Sequence, residues 1–219
     1  MRGKLVGVCV LSLSLYMIAP CSAGLIVASG AGSTLAGAED LTGLFPTEIV
    51  GTLSGTDPSA ASMFKISNLQ PGNFSALTLF TGAFGIPDTV LSLFNSTGVG
   101  IYLNDDISGT NTMSCLGLGN PCPTSGLALP VGIYYLAISR SFNYPVDQFG
   151  NEIFNPLSST DLVGPSTTNP VAGWDGFGPA PDFDLTSYDI VLTGTTPEPA
   201  TWLLTAGAVL VFGRLRRRR

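Results

Sequence analysis

The chain has 219 residues, with 15 acidic and 9 basic side chains, no histidine and a formal net charge of −6. Without histidine the chain lacks the base of Ser-His and Cys-His nucleophile systems, which argues against an enzyme of those classes. Charged residues make up only 11% of the sequence, while glycine and proline occur 27 and 16 times. This composition favours strands and turns over helices.

The N-terminus has the three parts of a secretory signal peptide. A basic n-region with Arg2 and Lys4 precedes an apolar h-region of residues 5–19 and a small-residue cleavage site at residues 21–23. We therefore predict a signal helix within residues 1–23, export by the secretion machinery, and a mature chain that begins at Gly24.

Removing this segment and the C-terminal tail changes the charge of the chain sharply. Between residues 24 and 199 the basic residues are Lys65 and Arg140, whereas all fifteen acids lie there, which gives this body a net charge of −13. Such a charge disfavours both nucleic acid and anionic membranes as partners, and we expect no nucleic-acid binding. Divalent cations and basic or neutral polymers are compatible partners for a body with this charge. The charge is also compatible with a simple role in keeping the protein soluble.

Two cysteines remain in the body, within the loop sequence SCLGLGNPCP. Cys115 and Cys122 are seven residues apart around a Gly-Asn-Pro turn. In an exported chain this spacing favours one disulfide that closes the turn. A zinc site would need more ligands than two thiolates.

The body alternates short apolar runs with turn residues. Several runs show apolar residues at every second position, such as Tyr188, Ile190 and Leu192, which indicates strands with one buried face. We predict an all-β, antiparallel sandwich. Its strands are expected at residues 48–53, 62–67, 75–80, 89–94, 99–103, 132–139 and 187–193.

Two segments interrupt this pattern. Residues 24–46 are rich in Gly, Ala and Ser and are predicted to form a flexible or loosely docked leader. Residues 141–185 form a long insertion with six prolines and seven aromatic residues, and loops of this length are usually functional or disordered. Its aromatic side chains, Trp174 above all, either stack on sugars as a ligand site or pin the insertion onto the sandwich, with Trp174 half-buried.

Three aspartates near the middle of the body form a candidate metal site. Asp88, Asp105 and Asp106 lie in turns, and calcium prefers several oxygen ligands of the kind that turn carboxylates and carbonyls supply. The alternative is that these side chains cap local backbone N–H groups in Asx turns. The sequence leaves both interpretations open.

Two blocks of the body, IPDTVLSLFNSTGVGIYLNDD (86–106) and LPVGIYYLAIS (129–139), resemble the bacterial pre-peptidase C-terminal (PPC) domain and its relatives. The resemblance spans residues 47–194. It implies a β-sandwich of jelly-roll type that serves as a non-catalytic accessory module. Some members of that family bind calcium, but this chain lacks their dense acidic run before the first aromatic strand. The matching motifs lie at residues 88–94, 98, 104–106, 132–136 and 188–192.

The C-terminal tail, residues 195–219, reads TTPEPATWLLTAGAVLVFGRLRRRR. A Pro-Glu-Pro is followed by an uncharged run of residues 200–213 and then by an arginine cluster. Fourteen helical residues reach only about 21 Å, so we predict a short transmembrane helix, with the arginines on the cytoplasmic side. The order of parts resembles the PEP-CTERM sorting signal. Its residues here are Pro197, Glu198, Pro199, Arg214, Arg216, Arg217, Arg218 and Arg219.

That resemblance implies that exosortase, a membrane protease, cleaves near the Pro-Glu-Pro after the tail has anchored the chain in the inner membrane. An unprocessed C-terminal anchor is the alternative. We predict an exported protein that reaches the cell surface or matrix, with a structural or adhesive role. Calcium-dependent binding or binding of exopolysaccharide is the second possibility. Catalysis is not expected, although Asp182 and Asp184 could serve as a carboxylate pair for glycoside hydrolysis.

Overall fold

The computed structural model describes residues 24–82, 85–117, 122, 127–155, 159–176 and 186–196. The predicted signal helix and the sorting tail beyond residue 196 lie outside them. Within these ranges the chain is almost entirely strand and turn. None of the helical residues there forms a helix that could cross a membrane.

Ten strands form two five-stranded sheets, and the seven strands predicted from the sequence are all present. The first sheet contains, in spatial order, β1 (Gly24–Val27), β3 (Pro46–Thr52), β12 (Ser187–Thr193), β5 (Ser75–Leu79) and β8 (Cys115–Leu116). The second contains β2 (Glu39–Asp40), β4 (Ala61–Asn68), β9 (Gly132–Arg140), β6 (Thr89–Asn95) and β7 (Gly100–Asn104). A separate two-stranded ribbon pairs β10 (Pro145–Val146) with β11 (Gly173–Trp174).

We predicted purely antiparallel sheets, but both sheets are mixed. All pairs among the central strands are antiparallel, but β1 runs parallel to β3 and β2 runs parallel to β4. Both parallel strands come from residues 24–46, which we expected to be a flexible or loosely docked leader. This segment adds one strand to an edge of each sheet through backbone hydrogen bonds, which leave no periodic signal in the side chains.

The main core lies between the two sheets. It contains the inward side chains of both, among them Phe64, Ile66, Phe74, Ile190 and Leu192, each nearly or fully buried. The alternation of burial along β12 shows the expected single buried face. This core therefore follows directly from the period-two pattern of the sequence.

A second core covers the outer face of the second sheet. Met63, Val90 and Phe94 on that face pack with Ile153, Phe154 and Val171 of the insertion. Phe94 and Phe154 have ring centroids 5.9 Å apart. Strands β4 and β6 are consequently buried on both faces. The described part of residues 141–185 is thus a packed layer on the sheet.

Both ends of the described chain lie at the same end of the sandwich. Gly24 pairs in register with Pro46, and the Thr195 hydroxyl donates to the Pro46 carbonyl at 2.6 Å. The Gln70 side chain donates to the carbonyl of Thr196 at 2.8 Å. We call this the termini end. The opposite end, where β6 begins and β7 and β9 finish, is called the site end.

The two cysteines of the body are joined as predicted. Cys115 and Cys122 form a disulfide with a Cα–Cα distance of 5.3 Å, within the normal range for such bonds. Cys115 is fully buried on β8. The bond therefore ties the loop after β8 to the edge of the first sheet.

We expect the exported protein to contain no free thiol. Closing a seven-residue loop stabilises the fold by about 2 kcal/mol in the chain-entropy treatment, so reduction should lower the melting temperature. Thiol labelling of the unfolded protein, with and without reductant, checks this. Labelling of both cysteines without reductant would contradict the assignment.

Candidate metal centre

The three aspartates predicted as metal ligands lie together at the site end. Asp88 comes just before β6, and Asp105 and Asp106 follow the last residue of β7. Because these strands are antiparallel neighbours, with Leu91 opposite Asn104, the start of one lies beside the end of the other. One carboxylate oxygen from each aspartate lies within 4.8 Å of the other two.

This spacing fits a shared divalent cation. Two oxygens bound to one calcium ion, each at about 2.4 Å, are at most about 5 Å apart. The donors are all carboxylate oxygens, the ligand type that calcium prefers. Residues 88, 105 and 106 therefore fit calcium in both donor chemistry and separation.

The strongest indication of a cation site is a pair of buried oxygens. Asp105 is only 2% exposed. Its Oδ2 accepts a 2.8 Å hydrogen bond from the Tyr144 hydroxyl, whereas its Oδ1 has no hydrogen-bond partner among the described residues. The Oδ1 atom of Asp88 is likewise buried and finds no partner in the part of the chain that the structure describes. An unsatisfied buried carboxylate oxygen is costly, and a bound cation would satisfy both atoms.

The electrostatics of the cluster also disfavour three bare carboxylates. Burial raises the pKa of Asp105 to about 7, and repulsion from the other two aspartates acts in the same direction. Burial, followed by repulsion from Asp106, raises the pKa of Asp88 to about 6. Hydrogen bonding to Tyr144 and Ser141 opposes these shifts only in part. A cation would reverse the sign of the local potential and hold the groups ionised.

Asx-turn capping does not account for Asp88 and Asp105. Elsewhere, Asp40, Asp57 and Asp147 each accept a hydrogen bond from the backbone N–H two residues ahead, at 2.9 to 3.0 Å. Among the hydrogen bonds of the described residues, no backbone N–H donates to a side-chain oxygen of the cluster. The capping interpretation thus fits other aspartates of this chain and leaves the cluster unexplained.

Buried polar groups fix the backbone beneath the cluster. The Asn104 amide donates to the carbonyls of Asp106 at 3.0 Å and Asp161 at 3.2 Å, and its oxygen accepts from the Cys115 N–H at 2.7 Å. The Ser114 hydroxyl donates to the Asp105 carbonyl at 2.8 Å. These hydrogen bonds therefore fix the turn that carries Asp105 and Asp106.

The insertion contributes residues that the sequence did not predict for the site. Tyr144 reaches Asp105 across 39 residues of chain, and Ser141 lies at the turn after β9, where its N–H donates to the Asp88 carbonyl at 3.2 Å. No local motif marks either residue. The neighbouring Phe142 has a φ of 61° and is 57% exposed, an unusual conformation for a bulky side chain.

The other predicted site residues are separate from the cluster or outside the described ranges. Trp174 is half-buried, packs against the second core, and donates its indole N–H to the Ser33 carbonyl at 2.8 Å. This arrangement matches the structural alternative for Trp174 and joins the insertion to the leader. Asp182, Asp184 and the sorting-signal residues Pro197 to Arg219 lie outside the described residues.

Replacing Trp174 tests its structural role. We expect Trp174→Ala to destabilise the fold by about 2 kcal/mol, because a large, partly buried ring is lost. Trp174→Phe keeps much of the packing and loses one hydrogen bond, a change of about 1 kcal/mol. Thermal unfolding measures both, with Phe149→Ala at a 72% exposed aromatic residue as the control. Equal stability of all three variants would contradict a packing role.

No protein-family model matches this chain, and the comparison with curated proteins likewise gave no match.

Proposed function

We propose that this chain is an exported surface protein, sorted by exosortase, whose β-sandwich body is a non-catalytic structural or adhesive module completed by a calcium ion. The ion would be held by Asp88, Asp105 and Asp106. The observation that carries the proposal is the buried Oδ1 of Asp105, which has no hydrogen-bond partner within the described ranges and lies beside two further carboxylates.

We further propose that the body is a jelly roll. Apart from the added strands β1 and β2, the sheets have the orders β3-β12-β5-β8 and β4-β9-β6-β7. Consecutive strands of the chain therefore pass repeatedly from one sheet to the other. Two four-stranded sheets connected in this way are the arrangement of a jelly roll.

A calcium ion in this cluster would act as a structural clamp. It would neutralise three carboxylates and connect the start of β6 with the end of β7. Tyr144 and Ser141 would extend this connection to the insertion through their hydrogen bonding to Asp105 and Asp88. In such a role the protein groups orient the carboxylates, and the ion supplies the positive charge that the cluster lacks.

The sorting part of the proposal is supported by the sequence. The PEP motif at residues 197–199, the apolar run of residues 200–213 and the arginine cluster together predict processing by exosortase after anchoring in the inner membrane. Exopolysaccharide binding remains a prediction as well, and the packing of Trp174 against the second core gives it little support.

Mass spectrometry of the protein from its native host tests both the sorting and the calcium site. Under denaturing conditions, the surface form is expected to begin near Gly24 and to end near Pro199, whereas an unprocessed anchor would still end at Arg219. Under native conditions, the same form is expected to carry one calcium ion. A surface form that ends at Arg219 would contradict sorting, and one without calcium would contradict the metal site.

A further inference from the structure

We propose that the termini end of the sandwich is a membrane-facing surface that rests against the phospholipid bilayer while the tail anchors the chain. The cation cluster, at the opposite end, would then point away from the membrane. This inference depends on the proposed function in one respect, namely that residues 200–213 insert into the bilayer.

The length of chain between the body and the predicted membrane segment sets the distance to the bilayer. Thr196 is held at the termini end by Gln70, and only residues 197–199 separate it from the apolar run. Four Cα–Cα steps reach at most roughly 15 Å. The termini end therefore cannot lie far from the bilayer surface while the tail is inserted. Gly24, which follows the predicted signal segment, leaves the fold at the same end.

The described loops at the termini end lack charged side chains, although Glu198 lies in the connection to the apolar run. The body as a whole carries fifteen acids, which anionic lipid headgroups would repel. None of the described loops at the termini end contains an acidic or basic residue, so these loops can approach lipid with less repulsion than the acidic loops of the body. These loops are residues 41–46, 69–74, 95–99, 128–132 and 193–196.

The same loops expose aliphatic side chains. Leu44 is 50% exposed and Val131 is 57% exposed, and Ile133 is exposed at the start of β9. Phe45, next to Leu44, adopts a φ of 50°, a conformation that bulky side chains rarely take and that is often found at functional loops. Isolated exposed aliphatic residues are common. Here they lie in uncharged loops at the base of a short membrane tether, which favours burial among lipid headgroups and upper acyl chains.

By contrast, the loops at the site end contain acidic residues. Asp57, Asp88, Asp105 and Asp106 all lie in its loops. With the termini end against the bilayer, the cation cluster faces the space outside the membrane, where calcium and extracellular partners are encountered.

Site-specific photo-crosslinking of the full chain in its native membranes tests this orientation. Leu44, Val131 and Phe142 are replaced, one at a time, by benzoylphenylalanine. Val131 and Phe142 are a matched pair, because each is 57% exposed while they lie at opposite ends. All three side chains are at least half exposed, so the fold should tolerate the changes, and resistance to trypsin verifies it. Extraction at alkaline pH shows independently whether the chain is anchored.

We expect lipid adducts at positions 44 and 131 to exceed those at position 142 severalfold in an anchored chain. Equal lipid adducts at all three positions in an anchored chain would overturn the orientation and leave the sorting proposal intact. Adducts to protein in place of lipid at positions 44 and 131 would overturn it in favour of a protein partner. A chain released at alkaline pH would contradict the anchoring step and, with it, this inference.

Discussion

In the metal-free protein at pH 8, Asp105→Asn is expected to raise the free energy of unfolding by roughly 2–4 kcal/mol, since a shift of one pKa unit corresponds to about 1.4 kcal/mol. The wild-type carboxylate is buried, and its pKa is raised to about 7. An asparagine oxygen can still accept from Tyr144, while its amide can donate towards the neighbouring carboxylates. The variant therefore removes a buried charge and keeps the hydrogen bond.

Calcium should reverse this order of stabilities. A ligand that binds only the folded state at a hundredfold excess over Kd stabilises it by about 2.7 kcal/mol, and the wild type should show this gain. Asp105→Asn should show little or none, because a buried ligand oxygen is lost. Thermal unfolding with calcium or with a chelator measures both effects on the exported protein.

Asp161→Asn is the matched control for these measurements. It removes the same charge from an exposed side chain in the segment that contacts Asn104 through its backbone. We expect it to change neither the stability without metal nor the response to calcium. If Asp161→Asn and Asp105→Asn changed stability and the calcium response alike, the cause would be the change in net charge and not the loss of a cluster residue.

The second large effect is a fall in stability with rising pH in the absence of metal. The pKa values of Asp88 and Asp105 are raised to about 6 and about 7 in the folded state. Between pH 4 and pH 7 the folded state therefore binds more protons than the unfolded state, so the free energy of unfolding decreases as pH rises through this window and levels off above it. Asp147, with a pKa lowered to about 2, affects stability only at lower pH.

Calcium and protons should compete for the same carboxylates. Calcium binds the ionised form, so its apparent affinity should increase as pH rises from 5 to 8, and saturating calcium should flatten the pH dependence of stability. Unfolding curves at several pH values, with and without calcium, measure this. Stability that rises with pH from 5 to 8 in the chelated protein would contradict the raised pKa values.

The sequence predicted the central strands well because each turns an apolar face to the core between the sheets. Alternation such as Phe64 and Ile66, or Ile190 and Leu192, is a direct record of the core between the sheets. The sequence also contains part of the signal for the second core. Met63, Val90 and Phe94 are apolar residues on the outer face of β4 and β6, and apolar residues on both faces of a strand indicate a sheet that is covered on both sides.

The sequence predicted only those residues of the candidate site that a local pattern places close together. Asp88, Asp105 and Asp106 belong to one pair of neighbouring strands, so their proximity follows from antiparallel pairing. Tyr144 is 39 residues from Asp105 and arrives through the packing of the insertion, which no spacing rule indicates.

The leader was mispredicted for a different reason. Its strands join the sheets through backbone hydrogen bonds and contribute few core side chains, so β1 and β2 have no hydrophobic period of their own. A short, Gly-rich segment that adds to a sheet edge cannot be distinguished by composition from a flexible one.

Equilibrium dialysis of the exported protein against radioactive calcium at pH 8 tests the central claim most directly. We expect one ion per chain for the wild type and for Asp161→Asn, and loss of binding in Asp105→Asn. Absence of binding by the folded wild type at millimolar calcium, or undiminished binding by Asp105→Asn, would contradict a calcium site formed by Asp88, Asp105 and Asp106.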